Sequence, residues 1–371
     1  MTQFVEKPNQ KSPSFDDVEK TVAIADAPST TDSGAEENCV ASLPVKSQER
    51  YKFIRSIGFG GMKGVLLVHD QDTDRDIAMA IMPDFRSRPL RDLNRFVREA
   101  RLTAKLEHPN IVPVYEIGAD KSGSPFFTMK YLPGITLSVI LRRLRSNDKS
   151  PEMASYTPER LLQILMRVCN AVAFAHSRGI CHHDLKPGNI HCSDFGEVQV
   201  IDWGLACPAD ADLSNDVLNG TPGYMAPETI RSGGTENPGK AADIYALGAI
   251  LYSILTLDSP LAGLPQQEVL RRTLTGQIPP PHKINSDVNP SLEAICLKAM
   301  SLNPADRYTS ATELRKEINA CRQGFPSKAE NATVIRSSML FMVRNIMFCL
   351  VGILTILLTI ASYLAYYYYK N

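Results

Sequence analysis

Apolar and polar positions along this chain alternate in different ways in different stretches. From Tyr51 the run Y-K-F-I-R-S-I-G-F-G-G-M-K-G-V-L-L-V-H-D predicts strand, glycine turn, strand. I-A-M-A-I-M, starting at Ile77, predicts a third strand. L-N-R-F-V-R-E-A-R-L-T-A-K-L then puts Phe96, Val97, Ala100, Leu102 and Leu106 near helical spacing. Strands continue through P-F-F-T-M-K-Y-L-P-G, and a helix begins near Thr136. Residues 145–157 are polar and patternless, so they read as a loop insertion. A long amphipathic helix starts at Pro158, and A-D-I-Y-A-L-G-A-I-L-Y-S-I-L, opened by Asp243, predicts a buried one. A strand-rich first part followed by helices makes the fold class α+β.

The two ends differ from this middle. Residues 1–48 hold eight acids against four lysines, with few large apolar side chains, and read as a disordered acidic tail in which Ser12, Ser14 and Thr30 are candidate phosphorylation sites. A polar linker, 323–344, precedes 25 residues without a charge, 345–369. A bilayer core takes roughly 20 such residues, so 345–367 predicts a transmembrane helix, with tyrosines 366–369 at its interfacial end and 368–371 as a short non-cytoplasmic tail. Lys328, Arg336 and Arg344 precede the span and Lys370 follows it, which puts the bulk of the chain in the cytoplasm. Ala361 and Ala365 offer a weak surface for self-association through that helix.

Net charge is zero, so no global basic field calls for nucleic acid. Eight scattered cysteines form no C-x-x-C pair and fit a reducing compartment better than a disulfide framework or a zinc site.

The chemistry concentrates in C-H-H-D-L-K-P-G-N-I-H-C-S-D-F-G-E-V-Q-V-I-D-W-G-L, Cys181 to Leu205. Asp184, Lys186 and Asn189 sit two and three residues apart, and a short apolar strand delivers Asp202. One acid to receive a hydroxyl proton, an amide and a second acid for a divalent metal, and a lysine for phosphate charge are what phosphoryl transfer needs. H-H-D-L-K-P-G-N resembles the H-R-D-L-K-x-x-N of eukaryotic-type protein kinases, and D-W-G resembles their D-F-G. The lysine two places after the acid is the serine/threonine form. The resemblance covers roughly Arg50 to Cys321. It implies a bilobal kinase domain at 49–322, with a β-rich lobe to residue 133 and a helical lobe from 134, using ATP and Mg2+ on protein substrates.

Residue by residue, the resemblance assigns Asp184, Lys186 and Thr221 to catalysis and Asn189 and Asp202 to the metal. Gly58, Gly60 and Gly61 would cover the phosphates, and Glu99 would be the helix glutamate. Val65, Ala78 and Met129 would surround ATP, with Tyr131 in the hinge and His191 flooring the adenine. G-T-P-G-Y-M-A-P-E would build a protein-substrate platform, which disfavours a small-molecule kinase. Arg307 would pair with Glu228, and Asp243 would tie back to the catalytic loop. Ser214 would lie in the downstream loop.

Three departures stand out. Ala80 occupies the place of the strand lysine, Lys63 stands in the third glycine slot, and His183 replaces the arginine that receives an activating phosphate. With-no-lysine kinases share the first two, so Lys63 would replace the lost lysine and pair with phosphate and Glu99. The rival is an exposed turn lysine in a decayed site, which would make the chain a pseudokinase scaffold.

Overall fold

A computed structural model describes residues 42–46, 50–59, 63–211, 220–330 and 346–370. Gly60, Gly61, Ser12, Ser14, Thr30 and Ser214 lie outside these, as does most of the acidic tail. Everything below concerns the unit Asn38–Asn371.

Strands β1 (Tyr51–Phe59), β2 (Gly64–Asp70), β3 (Arg75–Ile81), β4 (Val114–Ala119) and β5 (Pro125–Lys130) make one antiparallel sheet in the order β1-β2-β3-β5-β4. Helix α1 (Leu90–Ala104) crosses it and buries Phe96 and Ala100 against Ala80, Met82 and Phe127. The sheet edge is extended by residues assigned to the tail from sequence. Val45 bridges in parallel to Ala119, and Lys46 N donates to Ala119 O at 2.9 Å while Ala119 N donates to Pro44 O at 3.0 Å. Leu43 explains why: its buried side chain joins Val97 of α1 and Ala119, so an apolar residue anchors an otherwise polar leader.

After β6 (Ile135–Thr136), whose entry needs Gly134 because its φ of 114° and the nearby Cys192 carbonyl leave no room for a Cβ, the chain turns helical. Helix α2 (Leu137–Arg145) leads into 145–157, which is not the plain loop expected there. It contains α3 (Pro151–Ala154), where Met153 is buried, while Arg143 clasps Asp148 and Glu152 at 2.7 and 2.9 Å. Pattern reading missed it because a one-turn helix held by one methionine and an arginine clasp has no period. Helix α4 (Pro158–Ser177) follows, with Thr157 Oγ1 accepting from Arg160 N at its start.

Two small sheets come next. Strands β8 (Ile190–Cys192) and β9 (Val198–Val200) pair with β6, and β7 (Ile180–Cys181) pairs with β10 (Cys207–Pro208). Helices α5 (Pro227–Arg231), α6 (Gly239–Thr256), α7 (Gln266–Thr275), α8 (Pro290–Ala299) and α9 (Ala311–Arg322) complete the lobe. Leu165 and Val168 of α4, Leu247 and Ile250 of α6, Ile295 of α8 and Ile318 of α9 share one core. Arg307, its side chain fully buried, meets Glu228 with two nitrogens at 2.6 and 2.7 Å, the pair expected from sequence.

Helix α10 (Ile346–Lys370) is continuous, and Val351, Ile353, Leu354, Ile356, Leu357, Leu358, Ile360 and Leu364 are each more than half exposed. Among the described residues no helix is long and apolar enough to cross a membrane, so the span expected at 345–367 is not established by the structure.

Candidate active site

Asp243, buried in α6, organises the catalytic turn. Its Oδ2 accepts from His182 N at 2.8 Å and its Oδ1 from His183 N at 2.9 Å, while His176 Nε2 lies 2.8 Å from Oδ2. Burial opposes ionisation, yet among these bonds the one to His176 holds the carboxyl well below its ordinary range. The bonds also hold His183 at φ 63°, a conformation a side chain other than glycine adopts only when its surroundings impose it. Cys181 lies near enough for His176, Cys181 and Asp243 to bring potential metal-ligating atoms within 4.8 Å of one another. The Asp243 oxygens are already taken by the backbone, which makes the cluster scaffold.

Downstream of that turn the side chains close on one another. Lys186 Nζ donates to Asp184 Oδ2 at 2.7 Å and to Thr221 Oγ1 at 2.8 Å, and Thr221 Oγ1 donates to Asp184 Oδ1 at 2.8 Å. Asn189 Nδ2 donates to the Asp184 carbonyl at 2.8 Å, leaving its own carbonyl oxygen as an acceptor. Ile201 N donates to Asn189 O at 2.9 Å, so the β8–β9 hairpin carries Asn189 and Asp202 as one piece. Asp202 itself stands at φ 64°.

The decisive geometry lies across the lobes. Lys63, at the entrance of β2, donates from Nζ to Asp202 Oδ1 at 2.7 Å and to Glu99 Oε1. Its side chain is 23% exposed, partly buried between the two carboxylates. Burial alone would lower its pKa, but Glu99 and Asp202 outweigh that and hold the ammonium above its ordinary value. Burial would raise Asp202 too, yet Lys63 brings it below its usual range, while burial drives Glu99 up against the pull of Lys63. Ala80 is fully buried in the apolar layer between sheet and α1, so the depth where a strand lysine would lie is filled with hydrocarbon.

The remaining positions are placed by register. Gly58 opposes Val65, Val65 opposes Ala80, and Ala78 opposes Met129. The Tyr131 hydroxyl accepts from Arg55 Nη2 at 3.0 Å, and neighbouring Lys130 pairs with Glu197. His191 sits in the three-stranded sheet opposite Gln199, and burial lowers its pKa. His183 is also held neutral by burial, and neither ring nitrogen has a hydrogen-bond partner.

Sequence reasoning missed two contacts. Arg95 Nε donates to Gly204 O at 2.8 Å, tying α1 to the residue two past Asp202. It lies one turn before Glu99, the i, i+4 spacing that could have revealed a shared face. Trp203 is buried against the His182 ring, centroids 4.5 Å apart. A Cβ on Gly204 would come within 3.1 Å of Glu99 Oε2, so a larger residue there would press on the Glu99 carboxylate.

A sequence profile described as the protein kinase domain matches residues 51–318. The chain belongs to the protein kinase family. It is 37% identical over 302 residues to serine/threonine-protein kinase PknD of Chlamydia pneumoniae, covering 75% of this chain and 32% of that one. It is 36% identical to PknD of Chlamydia trachomatis serovar D, over 77% and 33%, and 35% identical to serine/threonine-protein kinase PknB of Mycolicibacterium smegmatis, over 76% and 44%. The chain thus spans about a third to under half the length of these relatives. The bilobal kinase architecture, with a β-sheet lobe and a helical lobe, is the one the structure displays.

Proposed function

We propose that this chain is a membrane-anchored serine/threonine protein kinase that transfers the ATP γ-phosphoryl group to protein hydroxyls, with Lys63 in the place of the strand lysine. The carrying observation is Lys63 Nζ between Glu99 and Asp202 Oδ1. A lysine that reaches the helix glutamate and the acid of D-W-G from a neighbouring turn can present the same compact charge to phosphate oxygens.

The chain's own groups divide the work. Asp184, held by Lys186, Thr221 and Asn189, orients the attacking hydroxyl and takes its proton. Lys186 lies beside it, placed to steady the transferring phosphoryl group. The free carbonyl of Asn189 and the carboxylate of Asp202 are hard oxygen donors that suit magnesium. Bound there, Mg2+ would offset the charge on the phosphate oxygens. Gly58, Gly60, Gly61, Val65, Ala78, Met129, Tyr131 and His191 are the nucleotide positions in this reading. The names of the relatives support the serine/threonine class.

The membrane anchor rests on the uncharged run 345–369 and the continuous helix over Ile346–Lys370. It puts the kinase domain on the cytoplasmic face of a membrane. Flotation of the full chain with phospholipid vesicles tests it; a chain that stays at the bottom of the gradient defeats it.

For the chemistry, the full chain in detergent is assayed for ATP phosphotransfer to a generic protein substrate beside Lys63→Met and Asp202→Ala. Both variants should fall by at least about a hundredfold. A Lys63→Met protein with unchanged rate and ATP affinity sinks the replacement. A wild type without transfer or nucleotide-dependent melting shift would favour the pseudokinase reading.

A further inference from the structure

Cys181 and Cys207 face each other. They are directly opposed partners in the antiparallel β7–β10 pair, and both are buried. Directly opposed antiparallel residues have Cα atoms about 4.5–5.5 Å apart, inside the window of about 4.4–6.8 Å that a disulfide requires. The ladder is two residues long, closed beyond Pro208 by Ala209 N donating to Gly179 O at 2.7 Å. Each cysteine sits next to chemistry without taking part in it. Cys181 immediately precedes His182, and Cys207 follows Asp202 by five residues.

The geometry points to Cys181 and Cys207 as a reversible disulfide site that fastens the strand leading into the catalytic turn to the segment leaving D-W-G. This rests on strand register alone and does not depend on the chain being an active kinase. The oxidant is a peroxide. A thiolate sulfur of one cysteine attacks a peroxide oxygen, giving a sulfenic acid and hydroxide. The partner thiol then displaces water, so two thiols and one hydrogen peroxide yield one disulfide and two waters. A thiol reductant reverses it by exchange.

Burial holds the Cys181 thiol above its ordinary pKa, which slows thiolate formation in the closed ladder. Reaction therefore passes through opening of those two residue pairs, a local event rather than global unfolding. The other described thiols are differently placed. Cys169, Cys296, Cys321 and Cys192 are also buried, the last pushed up to about 12; the first three lie on helices and Cys192 opposes Val198.

The full chain in detergent is treated with hydrogen peroxide below its melting temperature, alkylated without reduction, and digested for peptide mapping. A peptide joining Cys181 to Cys207 should dominate. It should vanish on dithiothreitol treatment and be absent from Cys181→Ala and Cys207→Ala. The oxidised wild type should melt several degrees higher than the reduced form, because a closed loop limits the unfolded chain, and neither variant should show this shift. If folded wild type gives no such peptide, gives it only in urea, or links either cysteine mainly to Cys192, the assignment is overturned. Since the mapping needs no variant to fold, a misfolded substitution cannot rescue it.

Discussion

At the scale of single residues, a phosphate-facing ammonium on the turn before the second strand changes what its usual position must tolerate. Ala80 is sealed among Phe96, Ala100 and Phe127. Placing a lysine there would not supply a phosphate contact. In the double variant Lys63→Met, Ala80→Lys the new side chain has hydrocarbon around it, and we expect destabilisation of about 3 kcal/mol or more in chemical denaturation, with no recovery of transfer. A double variant as stable and active as wild type would show that the slot opens freely. Arg95→Ala removes the tie to the Gly204 carbonyl. Phosphotransfer should fall about tenfold with little change in melting temperature, since Arg95 would position Asp202 without itself reacting.

Elements explain what the sequence made legible and what it hid. The catalytic turn could be read because Asp184, Lys186 and Asn189 are fixed by local spacing. The strand–turn–strand order could be read from apolar runs bounded by glycine. Lys63 could be named as a candidate, but its 36 residues of separation from Glu99 and 139 from Asp202 are spanned only when sheet, helix and hairpin meet. The i, i+4 spacing puts Arg95 on the face of Glu99 but cannot name its partner, a backbone carbonyl 109 residues away, and the α3 clasp is a short ion-pair cluster with no periodic trace. The helical lobe adds a pH consequence. His182, His183 and His191 are neutral when folded because burial lowers their pKa values, with Asp243 opposing this at the first two and Asp194 at the third. The unfolded chain takes up their protons near pH 6.5, so this part of the stability is complete above that pH and lost as it falls. Thermal melts should be flat from pH 8 to 7 and drop between about 6.5 and 5, and His183→Leu should make the drop shallower. The Asp243 contribution works lower: its depressed pKa keeps it intact until pH falls below about 4. Removing one partner of the Glu228–Arg307 pair leaves a charge stranded, and Glu228→Ala should cost about 3–5 kcal/mol in denaturant titration.

For the whole molecule, the sheet of the smaller lobe ends at β4, and residues 44–46 lie along part of that edge with Leu43 as their anchor. An uncovered strand edge is a template for another chain. A shortened protein beginning at Arg50 would keep every group assigned to phosphoryl transfer and would still be a worse solute. It should scatter light at concentrations where the full leader keeps it clear, and restoring 42–49 alone should cure it. A few residues from a stretch that looks like plain solvated leader would then decide whether these molecules stay apart.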